Sequence, residues 1–473
     1  MRFPIRDIVD STGALLIQGE PSVSAAGVST DSRTIAKGDF FFALSGPNYD
    51  GNRFARSAAD RGAVGVMLRA ATDAATREAL DEIRRELPRD FPVCVHESPR
   101  RALSDLGSWH RSRLSSSVIG ITGSCGKTST KNILSTLLSS VSSVISSPNS
   151  YNNDIGVPHT LFLADEKTQN LIVEMGTSGP GEISGLCRTA RPDAGIITTV
   201  GAAHLERLGS VEGVAKEKGS LAASLPRDGF CVLNADCQWT RDMRALTSAR
   251  VITFSVEGEG DLNATDIWFH GGGTTFRLDG REVTSPLLGL HNVQNLLAAF
   301  AACLGLGLEL DDVLPAVSAL EGGQRRMERI DLDGGVTLYD DSYNANPESA
   351  RASVRVLCGL HGHDRRVLVL GDMLELGDLA AELHHQVGLE AAQAGVDVLV
   401  LVGELVRATA AGALEGGLGS ESVLHCDTYE DAKQVLDGLI RKGDVVLIKG
   451  SRATGLDRLV SKLTEERVES TVG

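Results

Sequence analysis

The stretch GITGSCGKTST, residues 120–130, follows a short apolar run and precedes a helical pattern. Its residue types suit the holding of phosphate. Gly123 and Gly126 let backbone amides close on phosphate oxygens, Lys127 adds a positive charge, and Thr128, opening the helix, can hold Mg2+. Thr122, Ser124, Cys125 and Ser129 complete the loop and are expected to contact the ligand that it holds. The common G-x-x-x-x-G-K-[ST] spacing is missed, because the residue five before Gly126 is Ile121, and the loop reads G-x-x-G-x-x-G-K-T. Cys125 at a helix N-terminus has a setting that can activate a thiol, although a filler position is the simpler reading. Such a loop alone leaves a kinase, a GTPase switch, a motor and an ATP-dependent ligase open.

Residues farther along narrow the chemistry. The apolar run NLIVEMG presents Glu174 at its end, where a carboxylate can complete Mg2+ coordination opposite the loop threonine. The next such run leads to GAAHLERLGS and places His204 at a similar edge. A lone histidine is more often structural than a ligand, but two metal-capable groups on adjacent strand ends reverse that preference. Lys218, in VAKEKGS, would by position alone be a solvated helix charge.

These residues need a scaffold of strand ends. Short β-branched runs that end in Gly or a small polar residue and lead into helical patterns recur along the chain, which predicts an α/β fold with parallel sheets. DFFFAL, AVGVML and FPVCVH, separated by FARSAADRG and TREALDEIRREL, predict a small N-terminal α/β domain over 1–112. VIGIT, NLIVEMG, AGIITTVG and FCVLNAD predict a central P-loop ATPase domain over 113–325. Within it, 250–290 reads as antiparallel hairpins at the domain's edge, and a helix follows at 291–306. RRVLVLGDM, VDVLVLVGE and GDVVLIKGSR predict a Rossmann-like C-terminal domain over 326–473, with ligand-binding polar residues at its strand ends.

Composition excludes some partners. With 46 basic and 62 acidic residues among 473, the net charge is −16, which repels nucleic acid and anionic membranes over most of the surface. Eight cysteines without Cys-x-x-Cys spacing suggest neither a zinc site nor a disulfide framework, and so predict a reducing cytoplasm. MRFPIRDIVDSTGALL lacks the apolar stretch of a secretory signal, and NLLAAFAACLGLGLEL is short and rich in Ala and Gly, so a soluble protein with a buried helix is expected.

TGSCGKT, SYNNDIGVP, VEMGTSGPGEIS, AAHLERLGSVEGVAKEKG, VLNAD, GLHNVQNLLAAFAA, DDSYNANPES, GDMLELG and KGSR together resemble the Mur ligases, from about Asp31 to Arg452. The resemblance implies an amide ligase that hydrolyses ATP to ADP and phosphate through an acyl phosphate. SYNNDIGVP, SYNANP and GDMLELG favour the branch that adds D-alanyl-D-alanine to UDP-N-acetylmuramoyl-tripeptide, the final cytoplasmic step of peptidoglycan precursor synthesis. Cell-wall biogenesis, cell shape and cell division would depend on it.

By the same resemblance, Lys127 and the loop amides hold the β- and γ-phosphates of ATP. Thr128 and Glu174 attend one Mg2+, and His204 attends a second. Lys218 matches the family lysine that carries a carbamate. His291, Asn292 and Asn295 match positions near the adenine and phosphates, although they could equally cap the following helix. Arg326 matches an arginine that reaches ATP from the linker, and Asp341, Asn344 and Asn346 match the third domain's share of the nucleotide site. Asp31, Ser32, Arg33, Ser45 and Gly46 resemble the region that holds the UDP-sugar, Asn152 and Asn153 fall on the substrate side, and Lys449 with Arg452 would accept the dipeptide carboxylate.

Two departures stand out. Ser178 and Gly179 replace an Asn-His pair usual in the family, while Thr199 and Ala202 stand where Asn and Pro are common. The alternatives are a sister ligase adding the third residue, a folylpolyglutamate synthase, or a nucleotide-binding switch without ligase chemistry. A three-domain chain that opens and closes can work as a monomer.

Overall fold

The computed structural model describes residues 2–46, 49–270 and 272–468. Pro47 and Asn48, inside the sugar-region stretch FFALSGPNYDGNRF, lie outside the described residues. The chain divides into two compact units, one of Met1–Gly120, Ser143–Gly176 and Glu182–Asp193, the other of Ile121–Ser142, Thr177–Gly181 and Ala194–Gly473.

The first unit carries a five-stranded sheet of β1 (Leu15–Gln18), β2 (Gly27–Ser29), β3 (Asp39–Phe42), β4 (Gly65–Arg69) and β5 (Val93–His96) in the order β1-β5-β4-β3-β2. Only β1 runs antiparallel to its neighbour. Alternation along β3 sends Phe40 and Phe42 into one core layer with Ile5, Ile8 and Leu103, and Phe41 into the other with Ala55, Ala58 and Leu87. The same unit holds the start of β6 (Ser117–Thr122) together with β7 (Val144–Ser146) and β8 (Asn170–Glu174), in the order β6-β8-β7. Pairing of β8 with β7 is parallel.

In the second unit the phosphate loop leads from the end of β6 into α1 (Lys127–Ser139). Strands β9 (Ala194–Ile197), β10 (Phe230–Asn234), β11 (Arg250–Ser255), β12 (Leu262–His270), β13 (Gly273–Leu278) and β14 (Arg281–Ser285) lie side by side in chain order. The expected hairpins form at β12-β13-β14, whereas β11 departs from the expectation by pairing parallel to both β10 and β12. The reason lies in its apolar inward positions, with Ile252 and Phe254 buried, and in the helical residues Gln238–Asp242 and Met243–Leu246 that make a crossover from β10. Helix α2 (Val211–Ser224) carries Lys218, and α3 (Leu290–Gly305) is the apolar helix read from sequence, buried at Val293, Leu296, Leu297 and Phe300. Among the described residues no single helix is long and apolar enough to cross a membrane, although α3 with Leu310–Ala319 passes such a test as a bent pair.

A six-stranded sheet completes the unit with β15 (Glu328–Leu332), β16 (Val336–Asp341), β17 (Arg365–Gly371), β18 (Val398–Val402), β19 (Val423–Cys426) and β20 (Asp444–Lys449), ordered β15-β16-β20-β17-β18-β19. All but the edge strand β15 are parallel. Leu368, Leu370, Leu399 and Leu447 fill one face beside α4 (Pro347–Gly359) and α5 (Ala380–Ala394). Val367, Val369, Val400 and Ile448 fill the other, which is why these strands read as unbroken apolar runs. None of the eight cysteines is in a disulfide.

Candidate nucleotide and ligation site

The loop's shape is set by two glycines and by the residues that follow β9. Gly123 (φ +154°) and Gly126 (φ +85°) have backbones that side-chain-bearing residues rarely adopt, and a Cβ at either would collide, with the Thr198 hydroxyl and the Asn295 amide oxygen respectively. Thr198 donates to the Cys125 carbonyl, Ser124 N–H donates to Thr199 O (2.8 Å), and Gly201 N–H donates to Ser124 Oγ (3.0 Å). Lys127 folds back so that its Nζ donates to Gly123 O (2.7 Å). The Cys125 thiol is pushed up by burial, which disfavours the activated-thiol reading. A Gly126→Ala change forces a Cβ into Asn295 and strains φ, so we expect ATP affinity to fall on the order of 100-fold by calorimetry with only modest loss of thermal stability.

Several sequence-predicted residues meet this loop. Arg326 Nη2 donates to Thr128 Oγ1 (3.1 Å) while its guanidinium stacks 4.1 Å over the Tyr343 ring, a cation–π support that sequence reading missed. Asn346 Nδ2 donates to Ser124 O (3.2 Å) and its Oδ1 caps α4 through Ser349 N–H (2.9 Å). Asn295, buried on α3, accepts from Thr130 Oγ1 (3.2 Å) and donates to Asn292 Oδ1 (3.2 Å), and Asn292 donates to Leu288 O (2.9 Å). The two asparagines therefore brace α1 against α3. The alternative of a side-chain cap on α3 does not form, since Gly289 is its cap residue without a side-chain bond. Burial drives the His291 imidazole down to about 4 against the pull of Asp341, with Lys449 adding to the fall, so the ring is neutral.

Asp341 ends β16 and accepts from Lys449 Nζ (2.6 Å) and Ser353 Oγ (2.6 Å). Lys449 also donates to Asn344 O (3.1 Å), so its ammonium is engaged with the Asp341 strand end, while Arg452 sits exposed on the turn Arg452–Thr454. His204 takes a left-handed backbone (φ +55°) at the start of Leu205–Leu208, and its Nδ1 meets the Glu375 carboxylate. Burial holds the His204 imidazole below its ordinary value, Glu375 opposes this, and Lys127 and Lys218 add to it. Lys218 is almost completely buried on α2 and sits well below its ordinary value of 10.5, first from burial and then from the positive field of Lys127, with Glu217 opposing. Glu217 accepts from Gly181 N–H (2.6 Å), and Thr177 Oγ1 donates to Gly179 O (2.8 Å), so the TSGPG departure closes as a turn tied to α2.

Within the first unit, Glu174 is buried at the end of β8 and accepts from Asn152 Nδ2 (2.9 Å). Asn153 Oδ1 accepts from Ile155 and Gly156 N–H (3.1 and 2.9 Å), shaping the start of the helix Gly156–Leu163. Asp31 and the exposed Arg33 pair bidentately, and that guanidinium holds the Asp31 carboxyl at about 2. Ser32 is buried, Ser45 Oγ donates to Asp50 (3.0 Å), and Gly46 bridges Tyr49.

Among the described residues no three His, Cys, Asp or Glu side chains gather as a metal site. Mg2+ does not require one, because it is commonly carried by substrate phosphates with one or two protein oxygens added. Hard oxygen donors of that kind are present in each unit, the Thr128 hydroxyl in one and the Glu174 carboxylate in the other, so the residue types fit the ion.

Three family profiles cover most of the chain. The Mur ligase family catalytic domain matches residues 24–108, the Mur ligase middle domain 121–303, and the Mur ligase glutamate ligase domain 325–452. The UDP-N-acetylmuramoyl-tripeptide–D-alanyl-D-alanine ligase of Escherichia coli strain K12 is 35% identical over 93% of both chains. MurF from Acinetobacter baumannii has a similar structure, with TM-score 0.87, 28% identity, and 98% and 99% of the two chains covered. The MurF ligase of Thermotoga maritima in complex with ADP aligns at TM-score 0.79 and 26% identity over 94% of this chain and 98% of the other.

Proposed function

The chain belongs to the Mur ligase family, and from that premise we propose that it joins D-alanyl-D-alanine to UDP-N-acetylmuramoyl-tripeptide, forming the pentapeptide precursor of peptidoglycan at the expense of ATP. The observation that carries the ligase reading is the phosphate loop tied simultaneously to Arg326 and Asn346, a cradle for ATP with cationic and amide donors already in position. The choice of dipeptide rests on the names of the relatives, and the ADP complex of the Thermotoga maritima enzyme supports ATP as the phosphoryl donor.

A carboxylate is a poor electrophile. Transfer of the γ-phosphoryl group to the tripeptide carboxylate makes an acyl phosphate, which the dipeptide amine attacks with loss of phosphate. The loop amides and Lys127 bear the charge of the transferring group, and Arg326 adds to it. Mg2+, when bound with the nucleotide, would supply charge neutralisation and orientation of the phosphates, with Thr128 and Glu174 to hold one ion and His204 to hold a second. Neutral His291 is suited to a base edge, and Asn292 and Asn295 keep the loop in register. Asp341, Asn344 and Asn346 complete the nucleotide side, and Lys218 carries a carbamate. Asp31, Ser32, Arg33, Ser45, Gly46, Asn152 and Asn153 serve the UDP-muramyl peptide, and Arg452 with Lys449 serves the dipeptide. The domains are 1–112, 113–325 and 326–473, working as a cytoplasmic monomer.

The test measures phosphate release from ATP with D-alanyl-D-alanine and UDP-muramyl tripeptides that end in meso-diaminopimelate or lysine. Stimulation requiring both substrates is expected. Release driven by a free diamino acid or by glutamate would replace this reading with a sister ligase or a folylpolyglutamate synthase. ATP binding without any amide product would leave only a switch.

A further inference from the structure

Glu375 lies in the GDMLELG stretch and projects from the loop that follows β17. The loop is held at every step. Asp372 accepts from Val406 and Glu404 N–H (3.0 and 3.2 Å), Met373 N–H donates to the buried His384 Nε2 (3.0 Å), and Leu374 N–H donates to Ser451 Oγ (3.0 Å). Buried Met373 and Leu376 pin its two sides. Glu375 itself adopts φ +64° and accepts at its carbonyl from Glu206 N–H (3.3 Å), so two residues with left-handed backbones, Glu375 and His204, face each other through their side chains.

Stability does not account for this arrangement, because the Glu375 side chain is 55% exposed and an exposed pair of this kind contributes little. A carboxylate offers only acceptor oxygens, so His204 Nδ1 carries the shared proton and Nε2 is left as the ring's lone-pair nitrogen. Fixing one imidazole nitrogen with a carboxylate is how a histidine is oriented when its other nitrogen must act on a ligand. We propose that Glu375 is a positioning residue for the ligation reaction, which locks His204 in the Nδ1–H tautomer and presents Nε2 to the nucleotide-borne cation. This rests on the ligase reading given above and extends it to a residue of the loop that follows β17.

The test uses the full chain labelled with 15N-histidine, free of nucleotide and metal, with His204 signals assigned by their loss in His204→Gln. The wild type should show one His204 tautomer protonated at Nδ1. Glu375→Ala should give mixed tautomers and lower kcat about 10- to 100-fold, with a higher Mg2+ concentration for half-maximal rate and an unchanged KM for D-alanyl-D-alanine. Glu375→Gln, whose amide oxygen can still accept, should keep the tautomer and recover part of kcat. An unchanged tautomer or an unchanged kcat in Glu375→Ala overturns the proposal. A wild-type chain without D-alanyl-D-alanine ligase activity would instead remove the proposed function, while the tautomer measurement would still decide the role of Glu375.

Discussion

Replacing Lys127 by Ala should reduce phosphate release and amide formation on the order of 1,000-fold or more, with the loss in kcat rather than in KM for ATP. The ammonium already lies across the loop, bonded to the Gly123 carbonyl, so no reorganisation is needed when charge develops on the transferring phosphoryl group. Ground-state phosphates retain the loop amides, which is why affinity should suffer less than turnover. A second effect accompanies the first, since Lys127 lowers the proton affinity of both Lys218 and His204. In Lys127→Ala the Lys218 amine should therefore hold its proton to higher pH. Lys127→Arg tests geometry separately from charge, because a guanidinium cannot repeat the short bond to Gly123 without moving the loop. Near-normal turnover in Lys127→Ala, measured by coupled ADP release, would dismiss the phosphate-loop assignment.

Much of this site was legible in the sequence because its local chemistry is local in the chain. Gly123, Gly126, Lys127 and Thr128 are close in sequence, and their types alone specify a backbone that can approach phosphate. The α/β class was equally readable, since strands covered on both faces, such as VLVLG at β17, have few polar positions to hide. What escaped depends on long-range pairing. Glu375 lies far from His204 in sequence, and nothing in GDMLELG distinguishes its glutamate from an exposed charge until the loop is seen fixed by His384 and Ser451. Thr198 was silent for a related reason, because its value lies in the Cys125 carbonyl it meets. The parallel placement of β11 was hidden because a six-residue strand carries no mark of its neighbour's direction. Lys449 was readable as a cation at a strand end, but its partner Asp341 comes from an adjacent strand, and the ion pair is a property of the sheet order.

Lys218→Ala should lose on the order of 100-fold in kcat, and part of that loss should return with high concentrations of a short carboxylate such as acetate. The physical case begins with burial. An ammonium in this place lacks water and feels Lys127, so the amine is held neutral far below 10.5. A neutral amine is the form that adds to CO2: nitrogen bonds to carbon, one N–H proton leaves, and a carbamate anion remains. The same Lys127 field that expels the proton stabilises that anion, while Glu217 opposes it, so the modified state should depend on Lys127. In protein equilibrated with 13C-bicarbonate, a carbamate carbon signal is expected in the wild type, absent in Lys218→Ala and weakened in Lys127→Ala. The stability consequence has a definite sign. Between the depressed folded-state pKa and 10.5 the unfolded chain binds a proton at Lys218 that the folded chain does not, so stability rises with pH across that window. Lys218→Met should flatten this slope in denaturant titrations taken at several pH values, and should be at least as stable as the wild type at neutral pH when CO2 is excluded. A flat profile in the wild type, or full turnover in Lys218→Ala with no carbamate signal, would return Lys218 to the role of a packed helix residue.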